Sequence, residues 1–96
     1  MERERVISLL GKQRSRIDQL GVKSLSLFGS TARGESRPES DVDVLVEFEG
    51  KATFDRYMEL KFLLEDLLGT CVDLVTHKAL RPEMRSQVEN EALRVA

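Results

Sequence analysis

LFGSTARGESRPESDVDVLV, residues 27–46, decides how this chain is read. It sets Gly29-Ser30 after an apolar run (Val22, Leu25, Leu27, Phe28) and sets Asp41-Val42-Asp43 at the head of a second apolar run that continues to Phe48. Both runs predict strands, over 22–28 and 41–48, with the Gly-Ser pair at the end of the first. Between them, Gly34 to Ser40 is polar, contains Pro38 and reads as a loop, after one helical turn over Ser30 to Arg33.

At a strand end, a glycine lets the backbone come close to a ligand, and the N–H groups that open the next helical turn can face phosphate oxygens. Ser30 adds a hydroxyl donor. On the second strand, alternation sends Asp41 and Asp43 to one face with their Cα atoms about 6.5 Å apart. Carboxylates so placed repel one another unless a cation neutralises them. Magnesium suits them, because it prefers oxygen and is usually held by one or two carboxylates together with substrate phosphates. Taken singly, a Gly-Ser turn is ordinarily just a turn and an Asp-x-Asp is ordinarily a solvated strand face. Their conjunction describes a site for a metal-bound nucleotide, since the acids flank Val42 where a half-buried strand would carry apolar residues.

Outward from this unit the elements alternate. Residues 2–20 predict an amphipathic helix with Val6, Leu9, Leu10, Ile17 and Leu20 on one stripe, weakened at Gly11 and stopped at Gly21. Residues 53–68 predict a second helix ended by Gly69, residues 71–76 a third strand, and Pro82 the first residue of a final helix reaching about Leu93. The order helix-strand-strand-helix-strand-helix predicts an α/β (α+β) domain with a small mixed sheet and helices packed on one face. At 96 residues the chain is expected to hold a single domain, 1–96, because folding at this size buries only about 60–65% of the unfolded surface.

Charge and composition exclude several roles. With 15 basic against 17 acidic residues and a net charge of −2, nothing draws the chain as a whole to nucleic acid or to an anionic membrane. No apolar stretch nears the ~20 residues needed to span a bilayer, and MERERVISLLGK is too charged for a secretory signal, so a cytoplasmic location is expected. The one cysteine, Cys71, sits in an apolar run and reads as a packed core thiol. A single histidine, His77, leaves zinc almost no ligands and is expected on the surface after the third strand.

GSTARGESRPESDVDVLVEF resembles the signature of the DNA polymerase beta-like nucleotidyltransferase superfamily. Within it, the chain looks like the minimal nucleotidyltransferases found as antitoxins beside HEPN-domain toxins. Gly29 and Ser30 match the family's Gly-Ser, Ala32-Arg33-Gly34-Glu35 its continuation, and Ser40-Asp41-x-Asp43 its metal-binding segment. Asp73, within Cys71-Val72-Asp73-Leu74-Val75-Thr76, matches the third carboxylate that the family carries on a later strand. The resemblance implies a nucleotidyltransferase-like fold and a magnesium-dependent enzyme that takes ATP. Asp41 and Asp43 would bridge two magnesium ions, Asp73 would join them and help to take the acceptor's proton, and Gly29 and Ser30 would hold the β- and γ-phosphates. Arg33 is read as a nucleotide-binding residue or as the partner of Glu35 or another carboxylate.

The resemblance also implies an acceptor. Relatives transfer AMP from ATP to a tyrosine hydroxyl of the partner HEPN toxin and so block its ribonuclease activity, in a type VII-like toxin-antitoxin pair. Larger relatives carry further domains to hold the acceptor, and none is expected here, which favours an acceptor that brings its own surface. On the second long helix, Tyr57, Leu60, Leu63, Leu64, Leu67 and Leu68 form the core face, and Met58 and Phe62 flank it, facing a partner, a second copy of the chain or simply a deep core. Two other readings stay open: an antitoxin that neutralises by contact alone, against which the three-carboxylate set argues, and a transferase for a small hydroxylated molecule completed by a separate helical subunit.

Overall fold

The computed structural model describes residues 2–34 and 41–95. Its elements are α1 (Arg3–Lys12), α2 (Arg14–Gln19), β1 (Val22–Leu27), α3 (Gly29–Arg33), β2 (Val42–Phe48), α4 (Phe54–Leu68), β3 (Val72–Thr76), a 3-10 turn at His77–Ala79, α5 (Pro82–Glu91) and β4 (Leu93–Arg94). The strands form one mixed sheet in the order β3-β2-β1-β4. β1 runs antiparallel to β2 and to β4, whereas β2 and β3 run parallel and need a crossover, which α4 supplies.

Strand alternation builds the core. Val42, Val44, Val46 and Phe48 of β2 and Val72 and Leu74 of β3 face Val6, Leu10, Ile17, Leu60, Leu64 and Leu68 of α1, α2 and α4. Fully burying one such leucine contributes about 1.5–3 kcal/mol, so this layer carries most of the stability. The expected layer of helices is thus α1, α2 and α4. The second sheet face holds a smaller cluster, Leu45 with Leu80 and Val88, which brings α5 against that side, and Phe28 and Val75 pack beside it. Asp43 and Asp73 occupy alternate positions on the same strands as these outward residues, so the chemistry lies on the thinly covered face.

Three expectations need correction. The first helix is two, broken at Gln13 (φ −111°, ψ 21°), two residues beyond the weak position Gly11. The last helix ends at Glu91 and the chain turns into β4, a two-residue strand too short to show any alternation, which covers the free edge of β1. Cys71 is exposed rather than packed, because Val72 and Leu74 take the inward positions and leave the odd-numbered residues facing out. α4 follows its sequence closely: the Thr53 hydroxyl accepts from the Arg56 N–H at its start, and Gly69 ends it in the left-handed region at φ 67°. His77 lies after β3 as expected, its Nε2 2.9 Å from Glu89 Oε1.

Candidate active site

The end of β1 and the start of β2 are sewn together through the backbone of Asp43. The Phe28 N–H donates to the Asp43 carbonyl at 3.2 Å, and the Asp43 N–H donates to Thr31 Oγ1 at 3.0 Å. Thr31 is fully buried, and its hydroxyl anchors α3 on β2. Sequence reasoning passed over it, although it lies within the quoted stretch, because nothing in a Ser-Thr pair says which hydroxyl turns inward. Arg3 adds a second anchor by donating from Nη1 to the Ala32 carbonyl at 2.9 Å.

Gly29 is required here by its neighbour across the turn. Its φ of 59° is left-handed, and a Cβ placed on it would stand 2.8 Å from Asp43 Oδ2. The missing side chain is therefore the space in which the Asp43 carboxylate lies, with Ser30 Oγ at hydrogen-bond reach of the same oxygen, 3.5 Å. Gly29 and Ser30 thus meet Asp43 directly, as the first residues of α3.

The parallel register pairs Asp43 with Asp73, residue for residue, across β2 and β3. Their backbones are one strand spacing apart, about 4.8 Å, and both side chains leave the same sheet face. Asp41, two residues before Asp43, stands exposed just ahead of β2. Asp43 is half-buried, and burial is the largest cause of a pKa raised above its ordinary value, followed by the Asp73 carboxylate. The Ser30 hydroxyl acts in the opposite direction, Asp41 raises it further, and Arg33 lowers it. Asp43 and Asp73 share one sheet face with Asp41 near its edge, and one of these acids is reluctant to ionise, so they offer oxygen donors of the kind a hard cation takes. Among the described residues no three His, Cys, Asp or Glu side chains close around a single metal-sized point. An ion held by this set would draw the rest of its shell from substrate phosphates, as magnesium commonly does.

Arg33 ends α3, and its Nη1 lies 3.2 Å from Glu91 Oε2 of α5. The expectation that it pairs with a carboxylate holds for Glu91; Glu35 and Ser40 lie outside the described residues. All the other expected site residues, Gly29, Ser30, Asp41, Asp43 and Asp73, come together at this end of the sheet.

Comparison with known proteins agrees with this geometry. The family model "Nucleotidyltransferase domain" matches residues 10–95. Protein adenylyltransferase MntA of Thermococcus cleftensis is 37% identical over 93 residues, spanning 96% of this chain and 94% of that protein. A solved structure assigned to the minimal nucleotidyltransferases superposes with a TM-score of 0.87 at 40% identity, covering 97% of this chain and 95% of that one. A chain of a toxin-antitoxin complex solved with AMP-PNP superposes at 0.72 with 25% identity, over 100% of this chain and 73% of that one. A fold likeness at 19% identity and a TM-score of 0.66, covering 94% and 71% of the two chains, extends to a chain of the complex between a tri-AMPylated Shewanella oneidensis HEPN toxin and an MNT antitoxin. With the family model matched over most of its length, this chain belongs to the nucleotidyltransferase domain family and has the fold of its minimal members.

Proposed function

We propose that the chain transfers AMP from ATP to a tyrosine hydroxyl of a HEPN-domain toxin and thereby serves as the antitoxin of the pair. The observation that carries this reading is the register pair Asp43–Asp73 beside the Gly29-Ser30 turn, with Asp41 on the same face. It is supported by the similarity to a protein adenylyltransferase and to a toxin-antitoxin chain solved with an ATP analogue.

In this reading Gly29 and Ser30, at the opening of α3, hold the β- and γ-phosphates, and Arg33 contacts phosphate from the far end of the same helical turn. Asp41, Asp43 and Asp73 would hold two magnesium ions. When bound, such ions stabilise charge on the attacking and departing oxygens of an in-line displacement. Asp73 stands exposed, where an incoming acceptor can reach it, and takes the hydroxyl proton. The acceptor oxygen bonds to the α-phosphorus, the bond from that phosphorus to the β-bridging oxygen breaks, and pyrophosphate leaves. Asp43 is held by two backbone bonds, and this rigidity aims its carboxylate without reorganisation at each turnover.

Contact with a protein acceptor is supported by Phe62, which is 60% exposed on α4 beside the half-buried Met58. The cytoplasm is the proposed location; among the described residues no helix is long and apolar enough to cross a membrane. The test is incubation with α-labelled ATP, magnesium and a HEPN-domain protein, taken from beside this chain's gene where one is encoded there. Label on that protein is expected, and label on neither protein, with the toxin still active, would refute the reading.

A further inference from the structure

Asp73 has to be aimed by its backbone, because among the described residues its carboxylate has no hydrogen bond or ion pair of its own, and β3 is an edge strand. In a strand, the N–H and C=O of one residue point to one edge and those of the next residue to the other. The Cys71 carbonyl accepts from the Val42 N–H at 3.1 Å, so the odd-numbered residues of β3, Asp73 among them, face β2. The N–H and C=O of Val72 and of Leu74 therefore face outward, where an edge strand would leave them to water. Both are taken by side chains of α4: Glu65 Oε2 accepts from the Val72 N–H at 3.0 Å, and the Tyr57 hydroxyl donates to the Leu74 carbonyl.

We infer that Tyr57 and Glu65 are positioning residues for Asp73, a two-point clamp that grips β3 immediately before and immediately after it. The two side chains lie eight residues apart on one helix, about 12 Å along its axis, so α4 acts as a rigid splint running alongside the strand. Leu60, Leu64 and Leu68 seat that helix in the core at 4% exposure or less. β2 fixes Asp73 from one edge and α4 from the other, which sets where its carboxylate stands relative to Asp43. Release of either point lets the edge open locally and moves the carboxylate by a fraction of its distance to the acceptor. A misplacement of about 1 Å is enough to cost on the order of 100-fold in rate. The same side chains keep the outer edge of β3 from pairing with another chain.

This inference rests on the adenylyl-transfer reading, and the experiment separates the two. Wild type, Glu65→Ala, Glu65→Gln and Tyr57→Phe are compared in amide hydrogen exchange at Val72 and Asp73, and in kcat and KM for AMP transfer to the HEPN partner. Glu65→Ala and Tyr57→Phe are expected to speed exchange at both amides about tenfold or more. They are expected to lower kcat by about 10- to 100-fold with KM for ATP unchanged. Glu65→Gln keeps an acceptor oxygen for the Val72 N–H and is expected to recover kcat to within about threefold of wild type. A clamp that only stabilised the fold would lower the melting temperature and leave kcat alone. If wild type transfers AMP and both Glu65→Ala and Tyr57→Phe match its kcat, the inference is overturned while the enzyme reading stands. Should wild type transfer nothing, the enzyme reading fails, and unchanged exchange at Val72 and Asp73 in both variants then overturns the clamp as well. Should Glu65→Ala not fold, Tyr57→Phe decides by the same measures.

Discussion

Gly29→Ala separates two reasons for a glycine at the turn: room for a phosphate, or room for Asp43. The residue sits at φ 59°, where any L side chain is strained by roughly 1–2 kcal/mol. For a domain of this size each kcal/mol lowers the melting temperature by about 4–8 °C, so the conformational cost alone is about 4–16 °C. The new Cβ would also stand 2.8 Å from Asp43 Oδ2 where ordinary contact begins at 3.4 Å, so the carboxylate must retreat by about half an ångström. Because that oxygen ends a short side chain it can turn aside, which keeps the coupling between the two positions small, about 0.5–1 kcal/mol. The retreat instead disables the site, and AMP transfer is expected to fall by about 10- to 100-fold or more. A double-mutant cycle in urea checks the structural half: Gly29→Ala should cost less in an Asp43→Ala background than in wild type. Equal costs in the two backgrounds, together with wild-type transfer by the single variant, would refute the idea that this glycine makes room for the carboxylate.

Asp43→Asn should raise stability at pH 7 in metal-free buffer while abolishing transfer. Its raised folded-state pKa means that protonation favours the fold, so wild type should lose stability as pH rises from the ordinary carboxylate value through the raised one, and the variant should lack that step in a pH series of urea melts. Thr31→Val removes the only side-chain acceptor of the Asp43 N–H given by the described residues and is expected to cost about 1–3 kcal/mol by chemical denaturation, since that donor is then left unmatched. Met58→Asp with Phe62→Asp should abolish capture of the HEPN partner in calorimetry while leaving binding of a nonhydrolysable ATP analogue intact.

Much of the candidate site's geometry was legible because it is local. Gly29, Ser30, Asp41 and Asp43 fall within one strand-loop-strand unit, and period-two alternation puts both aspartates on one face. α4 was legible to within a residue from its apolar stripe, its Thr53 start and its Gly69 stop. Asp73 was reached through family resemblance, because spacing alone does not reveal that a parallel register sets it beside Asp43. What stayed hidden depends on which way a side chain turns or on pairing over distance. Cys71 was misjudged because an apolar neighbourhood was read without its parity. Thr31 and Glu65 look like ordinary polar residues until their backbone partners are known. Tyr57 was read for its ring and proved to matter equally for its hydroxyl. β4 owes its existence to the open edge of β1 rather than to any pattern in Leu93-Arg94.

The central claim, that carboxylate chemistry rather than contact silences the toxin, is tested most directly by intact-mass spectrometry of the HEPN partner co-expressed with wild type or with Asp73→Asn. The account predicts that wild type adds one or more adenylyl units and silences the toxin. It predicts that Asp73→Asn still binds the partner, leaves its mass unchanged and leaves cells unprotected. A toxin silenced by Asp73→Asn at its unmodified mass would contradict the account and make the chain an antitoxin that works by binding alone.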